Sequence, residues 1–288
     1  MTKIDDYVYN IISMSKKFCG LILKTAYDKM GGTSDISVLG KSMLDWVKLS
    51  FGDAPVSVVD EDKSIDLPLL VRPFALEGYD YIVVLYSDTP LITRKTIYSA
   101  VEEAYNSGRN VLKMTRGYVF SCAFVHNSDK IYTNDTFYFD EEDFITAFSF
   151  KQVGLITDIL KNRILDYHME QGVYFEDLAG TVIGCDVTID PSVVVGHNNV
   201  IMGRTRVREG ARLGCGNNLT DCVIEKGASV EYTHAVRSYI GKNWKVGPFV
   251  RLCEDNIIGE GSEIGSFVEL KNKKIPAGSV VSRITRNN

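Results

Sequence analysis

Between about Thr181 and Val281, aliphatic side chains recur at nearly every sixth position of the chain. This spacing matches neither the period of about 3.6 residues of an amphipathic helix nor the two-residue alternation of a half-buried strand. A short fixed period instead indicates a solenoid, in which each repeat buries its apolar edge only by stacking on neighbouring repeats. The repeated positions are Ile183, Ile189, Val195, Ile201, Val207, Leu213, Leu219, Ile224, Val230, Val236, Ile240, Val246, Leu252, Ile258, Ile264 and Leu270, with a last turn near Ile275.

Two further features of the repeat specify the kind of solenoid. Glycine often follows the aliphatic residue, and the position two before it is mostly small or β-branched, as at Thr181, Val187 and Thr205. The sequence therefore predicts a left-handed parallel β-helix built from hexapeptide repeats, three to a coil, with roughly five or six coils.

The part of the chain before the repeat has a different pattern. Short apolar runs predict strands, and longer periodic segments predict helices. Their alternation indicates an α/β layer with a mostly parallel sheet. We place the domain boundary near Gln171, which gives an α/β domain over 1–171 and a β-helix over 172–288. The predicted strands are 18–23, 56–60, 81–86, 111–125 and 130–140, and the predicted helices lie within 1–30 and over 42–51, 93–106 and 141–171.

Composition narrows the class of protein. The chain has 288 residues, 45% of them hydrophobic and 24% charged, as in ordinary globular domains. A net charge of -5 argues against a general nucleic-acid or acidic-membrane surface. No apolar run approaches the roughly 20 residues of a membrane span, and we expect no signal peptide. Six scattered cysteines without a CxxC pair, and four dispersed histidines, indicate reduced thiols in the cytoplasm and no metal-ligand spacing.

The apolar run Tyr81–Tyr86 is followed directly by Ser87-Asp88-Thr89-Pro90-Leu91. Ligands of parallel α/β sheets bind at the carboxyl ends of the strands, so Asp88 is a candidate functional residue. Its alternative role is to cap the helix that begins after Pro90.

Five segments together resemble a known family. They are LGKSMLDWV (39–47), VVLYSDTPLIT (83–93), ILDYHMEQGV (164–173), VGPFVRL (246–252) and GSFVELKN (265–272), in this order. The family is the bifunctional bacterial N-acetylglucosamine-1-phosphate uridyltransferase/glucosamine-1-phosphate acetyltransferase. The resemblance implies a Rossmann-like domain that makes UDP-N-acetylglucosamine from UTP and the sugar phosphate with magnesium. It also implies a homotrimeric β-helix that acetylates glucosamine 1-phosphate with acetyl-CoA.

The chain departs from the family in the nucleotide-binding half. In the family a G-x-G-T-R-M run followed by Pro-Lys cradles phosphates, whereas this chain has Leu23-Lys24-Thr25-Ala26-Tyr27-Asp28-Lys29-Met30. We expect a loop that no longer binds phosphate, with Gly31-Gly32-Thr33-Ser34 as the alternative, a displaced remnant. Asp88 matches the magnesium-binding aspartate. The second ligand, the asparagine of an N-N-R motif, aligns with Phe148-Ser149, and Lys161-Asn162-Arg163 imitates the motif later in the chain.

The chain also departs from the family in the acetyltransferase half. Arg251, Glu269 and Lys271 match family positions that hold the sugar nucleotide or sugar phosphate, and the two cations suit phosphate oxygens. Solvated or trimer-contact charges are the alternative for Arg251 and Lys271. After Ile275 the sequence reads PAGSVVSRITRNN, where the family continues through a catalytic histidine and further coils. We therefore expect no acetyl-CoA site.

Two adjacent predicted coils carry a cluster of arginines, Arg204, Arg206, Arg208 and Arg212. The alternatives for this cluster are an anion-binding site and a solvated face.

For the whole chain, three functions remain as alternatives. The first is a homotrimer that binds sugar nucleotides or regulates their metabolism, with weak or lost uridylyl transfer and no acetyl transfer. The second is an active nucleotidyltransferase with a rebuilt loop, using Asp88 and Asp28 or Asn162 for the metal. The third is a structural trimer that binds a protein partner.

Overall fold

A computed structural model describes residues 16–25, 36–131, 136–261 and 263–282. The chain separates into two compact units, Met1–Ile159 and Leu160–Asn288. The sequence placed the boundary near Gln171, whereas the division falls inside a helix that ends at Glu170. The helices predicted within residues 1–15 and the segment Gly31-Gly32-Thr33-Ser34 lie outside the described residues.

The first unit contains a six-stranded sheet flanked by helices, which confirms the predicted α/β class. The strand order is β4-β1-β5-β7-β6-β8, and a separate two-stranded ribbon joins β2 to β3. The strands are β1 (Phe18–Lys24), β2 (Ser37–Val38), β3 (Lys41–Ser42), β4 (Val56–Asp60), β5 (Tyr81–Tyr86), β6 (Val111–Met114), β7 (Gly117–Ser121) and β8 (Thr136–Phe137). The helices are α1 (Met43–Ser50), α2 (Leu67–Val71), α3 (Arg94–Asn106), α4 (Cys122–Asn127) and α5 (Phe150–Glu170), with 3-10 turns at Arg72–Phe74 and Glu142–Phe144.

The two central strands explain the apolar runs in the sequence. Strand β1 pairs in parallel with both β4 and β5, so it is an interior strand of the sheet. Its alternate side chains enter two separate apolar clusters, Phe18 and Ile22 one of them and Leu21 and Leu23 the other, so both faces of the strand are buried. Gly20 in β1 is required by packing, because a Cβ there would lie 2.5 Å from Cε1 of Phe51. Helix α1 starts where Ser42 accepts a hydrogen bond from the backbone N–H of Asp45 and lays Val47 against the sheet.

The sheet is mostly parallel, as predicted: of its six described strands only β7 is reversed, and it runs antiparallel to both β5 and β6. Two other sequence predictions for this unit need correction. The segment 111–125 is a tight hairpin followed by helix α4, since Ser121 caps a helix instead of continuing the strand. The predicted helix over 141–171 begins only at Phe150, after the short 3-10 turn Glu142–Phe144.

The second unit is a left-handed parallel β-helix, as the six-residue period predicts. Three parallel sheets of short strands run along it, and each coil contributes one strand to each sheet. The first sheet contains β10 (Val182–Ile183), β13 (Val200–Met202), β16 (Asn218–Thr220), β19 (Thr233–Val236), β22 (Val250–Cys253) and β25 (Glu269–Lys271). The second contains β11 (Thr188–Ile189), β14 (Arg206–Val207), β17 (Val223–Ile224), β20 (Tyr239–Ile240), β23 (Ile257–Ile258) and β26 (Lys274–Ile275). The third contains β9 (Tyr174–Phe175), β12 (Val194–Val195), β15 (Arg212–Leu213), β18 (Ser229–Val230), β21 (Lys245–Val246), β24 (Glu263–Ile264) and β27 (Val280–Val281).

The repeated aliphatic residues point into the coils, with one correction to the register. At the position assigned to Val236, the buried residue is Ala235, which is paired with Leu219 in the coil before and Leu252 in the coil after. Val236 faces outward beside it. The slip arises because the middle coils are shorter, so the inward position arrives one residue earlier than a constant period predicts.

Buried asparagine side chains inside the coils form hydrogen bonds with one another and with the backbone. Asn199 and Asn217 are buried one coil apart, and Nδ2 of Asn217 donates to Oδ1 of Asn199 at 2.8 Å. Asn217 also donates to the carbonyl of Val230 at 3.0 Å and accepts from the N–H of Thr233 at 3.0 Å. Because the amide joins three successive coils, it fixes their stacking as well as filling the interior.

Two other buried side chains serve packing. Trp244 is fully buried at the position two before Val246. His168 in α5 is 2% exposed, and neither ring nitrogen has a hydrogen-bond partner among the described residues. Burial alone lowers the pKa of His168 to about 4, which keeps the ring neutral. None of the described helices is long and apolar enough to cross a membrane.

The amide ladder yields a stability prediction. Asn217→Ala removes the side-chain hydrogen bonds to Asn199 and Val230 and leaves the buried N–H of Thr233 without its acceptor. We expect the free energy of unfolding to fall by about 2–4 kcal/mol, measured by urea denaturation. The matched control is Asn218→Ala, the next residue, which faces solvent. That substitution should change stability by no more than about 0.5 kcal/mol, and equal effects for the two variants would contradict the ladder.

Candidate functional site

The residues that follow β5 form a buried loop at the carboxyl end of the central strand. Ser87, Asp88 and Thr89 are each 0% exposed. Backbone and side-chain bonds hold the loop, since the N–H of Ser87 donates to the carbonyl of Leu23 at 3.0 Å and Ala147 donates to the carbonyl of Asp88 at 3.2 Å. The loop that carries Asp88 is therefore held by β1 on one side and by the segment before α5 on the other, at the strand end where the sequence argument expects it.

The carboxylate of Asp88 binds an arginine. Nε of Arg116 donates to Oδ1 at 3.0 Å, and Nη2 donates to Oδ2 at 2.7 Å. The hydroxyl of Thr25 also donates to Oδ2, at 3.3 Å. Two parallel bonds from one guanidinium to one carboxylate are the strongest form of this pairing, and they neutralise the carboxylate where water has no access.

The β6–β7 hairpin positions Arg116 next to Asp88. Arg116 occupies the hairpin turn, and the next residue, Gly117, pairs with Leu85 near the end of β5. Gly117 has a φ of 147°, and a Cβ there would lie 2.6 Å from the carbonyl oxygen of Val84. Glycine thus permits the close approach that brings the turn beside the strand end.

The guanidinium of Arg116 packs against the face of the Tyr86 ring. Cζ of Arg116 lies 4.1 Å from the centroid of the Tyr86 ring, which is within the range of a cation–π contact. Burial, followed by the nearby Glu61 carboxylate, raises the pKa of Tyr86 to about 12, so its phenol stays protonated. Tyr86, the last residue of β5, therefore supplies the ring that contacts Arg116, and Asp88, two residues later in the following loop, supplies the carboxylate.

Helix capping, the alternative role for Asp88, belongs to other residues. Thr93 is the cap of α3, and its hydroxyl accepts from the N–H of Thr96. The buried Asp143 in turn accepts hydrogen bonds from the hydroxyls of Thr93 and Thr96. Asp143, one of four consecutive acidic residues at 140–143, thereby stabilises the first turn of α3.

The described residues do not fit a magnesium site at Asp88. Magnesium prefers several oxygen ligands around an open octahedron, whereas a bidentate guanidinium covers both oxygens of this carboxylate. No group of three or more His, Cys, Asp or Glu residues suited to a metal occurs in 16–25, 36–131, 136–261 or 263–282. Asn162 lies in α5, in the second unit, and Asp28 lies outside the described residues.

Arg116 is a residue that the sequence argument missed. The signal for it was local, because Thr115-Arg116-Gly117 is a turn sequence between two apolar runs. Reading 111–125 as extended strand hid the turn. Pairing Arg116 with Asp88 also requires knowing that β7 lies next to β5, which no local pattern specifies.

The three solenoid residues carried over from the resemblance lie on the outer face of the first sheet. Arg251 in β22 pairs in register with Glu269 in β25, and its Nη1 lies 3.3 Å from Oε1 of that residue. Nζ of Lys271 lies 3.3 Å from Oε2 of Glu254. The four side chains are between 46% and 62% exposed, so these ion pairs are screened and each stabilises the fold by at most about 1 kcal/mol.

The Asp88–Arg116 pair can be tested by removing the cation. Arg116→Ala leaves the buried carboxylate without the guanidinium that neutralises it, and we expect a loss of about 2–4 kcal/mol in the free energy of unfolding. Asp88→Asn combined with Arg116→Ala should recover part of that loss, because a neutral amide needs no cation.

Urea denaturation at neutral pH measures both variants. Lys113→Ala, on neighbouring β6, is the control and should change stability by no more than about 0.5 kcal/mol. If Arg116→Ala is no more destabilised than Lys113→Ala, the pair does not hold this end of the sheet together.

Comparison with known proteins relates the chain to one group of enzymes. A segment of 134 residues, 46% of the chain, is 39% identical to the bifunctional protein GlmU of Clostridium novyi (strain NT) and covers 29% of that protein. The bifunctional protein GlmU of Clostridium beijerinckii is 35% identical over 144 residues, which are 50% of this chain and 32% of that one. The bifunctional protein GlmU of Desulfitobacterium hafniense (strain DSM 10664 / DCB-2) is 34% identical over 134 residues, which are 46% of this chain and 30% of that one. The chain spans about a third of the length of these curated relatives.

Two other comparisons add little. No family model matches the chain. A solved structure, the acetyltransferase domain of PglB from Neisseria gonorrhoeae FA1090, aligns with 92% of this chain and 96% of its own at 13% identity. Its TM-score is 0.24, and we base no argument on it.

Proposed function

Since the chain is a relative of the bifunctional GlmU proteins, we propose that it works in amino-sugar nucleotide metabolism as a binding or regulatory protein, with uridylyl transfer weak or lost. The observation that carries the proposal is the bidentate pair between Arg116 and Asp88. Phosphoryl-type transfer builds negative charge on the phosphates, and a divalent ion normally neutralises it. Here the residue in the metal-binding position of the S-D-T-P-L motif is bound to a side chain of the protein itself.

A charge comparison supports the loss of catalysis. An aspartate with Mg²⁺ has a net charge of about +1, whereas an aspartate with an arginine is neutral. A neutral site attracts a triphosphate less and stabilises less of the charge that develops during transfer. Binding of a sugar nucleotide remains compatible with this arrangement, because binding needs fewer charge interactions than the transition state does.

The exposed cations of the first solenoid sheet support binding of an anionic ligand. Arg251 and Lys271 are paired with Glu269 and Glu254 through weak surface contacts, which a phosphate group can replace at small energetic cost. The arginine offers parallel donors to phosphate oxygens and the lysine a point charge. We propose that these residues bind the phosphate of a sugar nucleotide or sugar phosphate, without acetyl transfer.

The catalytic part of the proposal is tested by turnover. Purified protein with UTP, N-acetylglucosamine 1-phosphate and Mg²⁺ should release pyrophosphate far more slowly than about 1 per second, the lower end of ordinary enzyme rates. Calorimetric titration with UDP-N-acetylglucosamine should show binding that Lys271→Ala weakens about tenfold. Lys274→Ala, an exposed lysine on another sheet, is the control and should bind like wild type. Turnover between about 1 and 1000 per second would overturn the proposal.

We further propose a threefold homotrimer through the β-helix. Three stacked aromatic rings on one solenoid corner, Tyr232, Phe249 and Phe267, support subunit contact because they are 44%, 55% and 62% exposed. Closed cyclic symmetry gives each subunit the same environment.

Light scattering after size exclusion tests the trimer. Against a chain mass of 32.1 kDa we expect a species about three times heavier. Phe249→Ser should shift the distribution toward the monomer, whereas Ile257→Ser, an exposed apolar residue on another face, should not. A monomer at all concentrations for the unaltered chain would exclude the trimer.

A further inference from the structure

A depression on the solenoid lies away from the residues discussed above. Its volume is about 530 Å³, within the range of small-ligand sites, and it opens broadly to solvent. It is lined by Arg204, Asp221, Val223, Arg237, Ser238 and Tyr239. These residues belong to the second sheet and to the corner that precedes it, on successive coils.

Two arginines at the depression form no ion pair with any carboxylate in the part of the chain that the structure describes. Arg204 lines it, and Arg206 lies two residues on in β14, where it is paired with Val223 in the sheet. Both side chains are exposed, and neither guanidinium forms an ion pair with any of the described residues. The other arginines of the sequence cluster differ, because Arg208 pairs with Asp190 at 3.7 Å and Arg212 with Glu176 at 2.9 Å.

At the corner beside the depression, basic and acidic residues alternate from coil to coil, in the order Arg204, Asp221, Arg237 and Asp255. Oδ1 of Asp221 accepts a hydrogen bond from the backbone N–H of Arg204 at 2.8 Å, so this carboxylate holds the turn. Nε of Arg237 lies 3.3 Å from Oδ1 of Asp255, in a pair that is about half exposed on both sides. The guanidinium of Arg237 is therefore held beside the depression by a weak contact. Arg204 and Arg206 differ from Arg237 in this respect, because no carboxylate of a described residue forms an ion pair with either of them.

The floor of the depression is apolar and aromatic. Val223 and Tyr239 occupy equivalent outward positions on neighbouring strands of the second sheet. Ile257 continues the row on the next strand, and it is 47% exposed against 38% for Tyr239. Burial, followed by the Glu225 carboxylate, raises the pKa of Tyr239, so its ring is neutral at physiological pH. The ring is a neutral surface on which a flat group can pack.

We propose that this depression binds a phosphorylated ligand with a flat aromatic part, a nucleotide, with its phosphates on Arg204 and Arg206 and its base against Tyr239. Arginine provides parallel donors that match phosphate oxygens. Stacking on one aromatic side chain adds affinity that does not depend strongly on which base is present. The site is distinct from the Arg251 and Lys271 surface, because it lies on the second sheet whereas they lie on the first.

Titration calorimetry of the full chain in low salt tests the site, with ATP, UTP and sodium pyrophosphate as the probes. Both nucleotides should bind more tightly than pyrophosphate, because only they have a base. Arg204→Ala should weaken all three about tenfold, the loss expected for one charged hydrogen-bonding group. Tyr239→Leu should reduce the affinity for the nucleotides to that for pyrophosphate and leave pyrophosphate binding unchanged. Raising the salt should weaken binding, since the arginines are exposed.

Arg212→Ala is the matched control, because it removes the same charge from an arginine of the same cluster that is paired with Glu176. It should bind all probes like wild type, and circular dichroism should show that every variant is folded. Absence of binding by all three probes would overturn the proposal. So would nucleotide binding that Lys271→Ala abolishes and Arg204→Ala leaves unchanged, although that result would leave the proposed function standing.

Discussion

A carboxylate that is removed from water has to be neutralised, and the loop at the carboxyl end of β5 is arranged around that requirement. Asp88 is fully buried at the end of β5, and the guanidinium of Arg116 binds both of its oxygens. The contact requires a tight β6–β7 turn, a glycine at 117 to bring that turn against β5, and the Tyr86 ring beneath the arginine. The position from which relatives of this kind are expected to hold a metal ion is thereby occupied by a cation that the protein itself provides.

The solenoid depends on a different constraint, namely that no coil can bury its own interior. Stacking supplies both the apolar contacts and the hydrogen bonds, as the Asn199–Asn217 ladder shows by joining successive coils. Such a scaffold keeps outward side chains in regular rows. The rows place Arg251 beside Glu269 on one sheet and Val223 beside Tyr239 on another. Separate anion-binding surfaces can therefore exist on one solenoid, and each can change without disturbing the other.

Two features are the basis of the proposed binding role. In the α/β unit, the described part of the strand-end loop holds Asp88 and Arg116 as a neutral ion pair. The solenoid retains exposed cations of the kind that hold phosphate groups, in weak pairs with neighbouring carboxylates. Both observations support the proposed binding of an anionic ligand.

Periodicity alone determined the β-helix, the central strands and helices α1 and α3, because burial on one or both faces leaves a regular mark in the sequence. It misplaced the inward residue at Ala235, since the hydrogen-bonded pairing of coils, rather than a constant count, decides which side chain enters the interior. Asp88 could be singled out from its place after a buried strand. Its partner could not, because Arg116 lies 28 residues away and reaches it only once β7 packs antiparallel to β5. Local pattern specifies which residues are buried, whereas the charge that a buried group meets is decided by tertiary pairing.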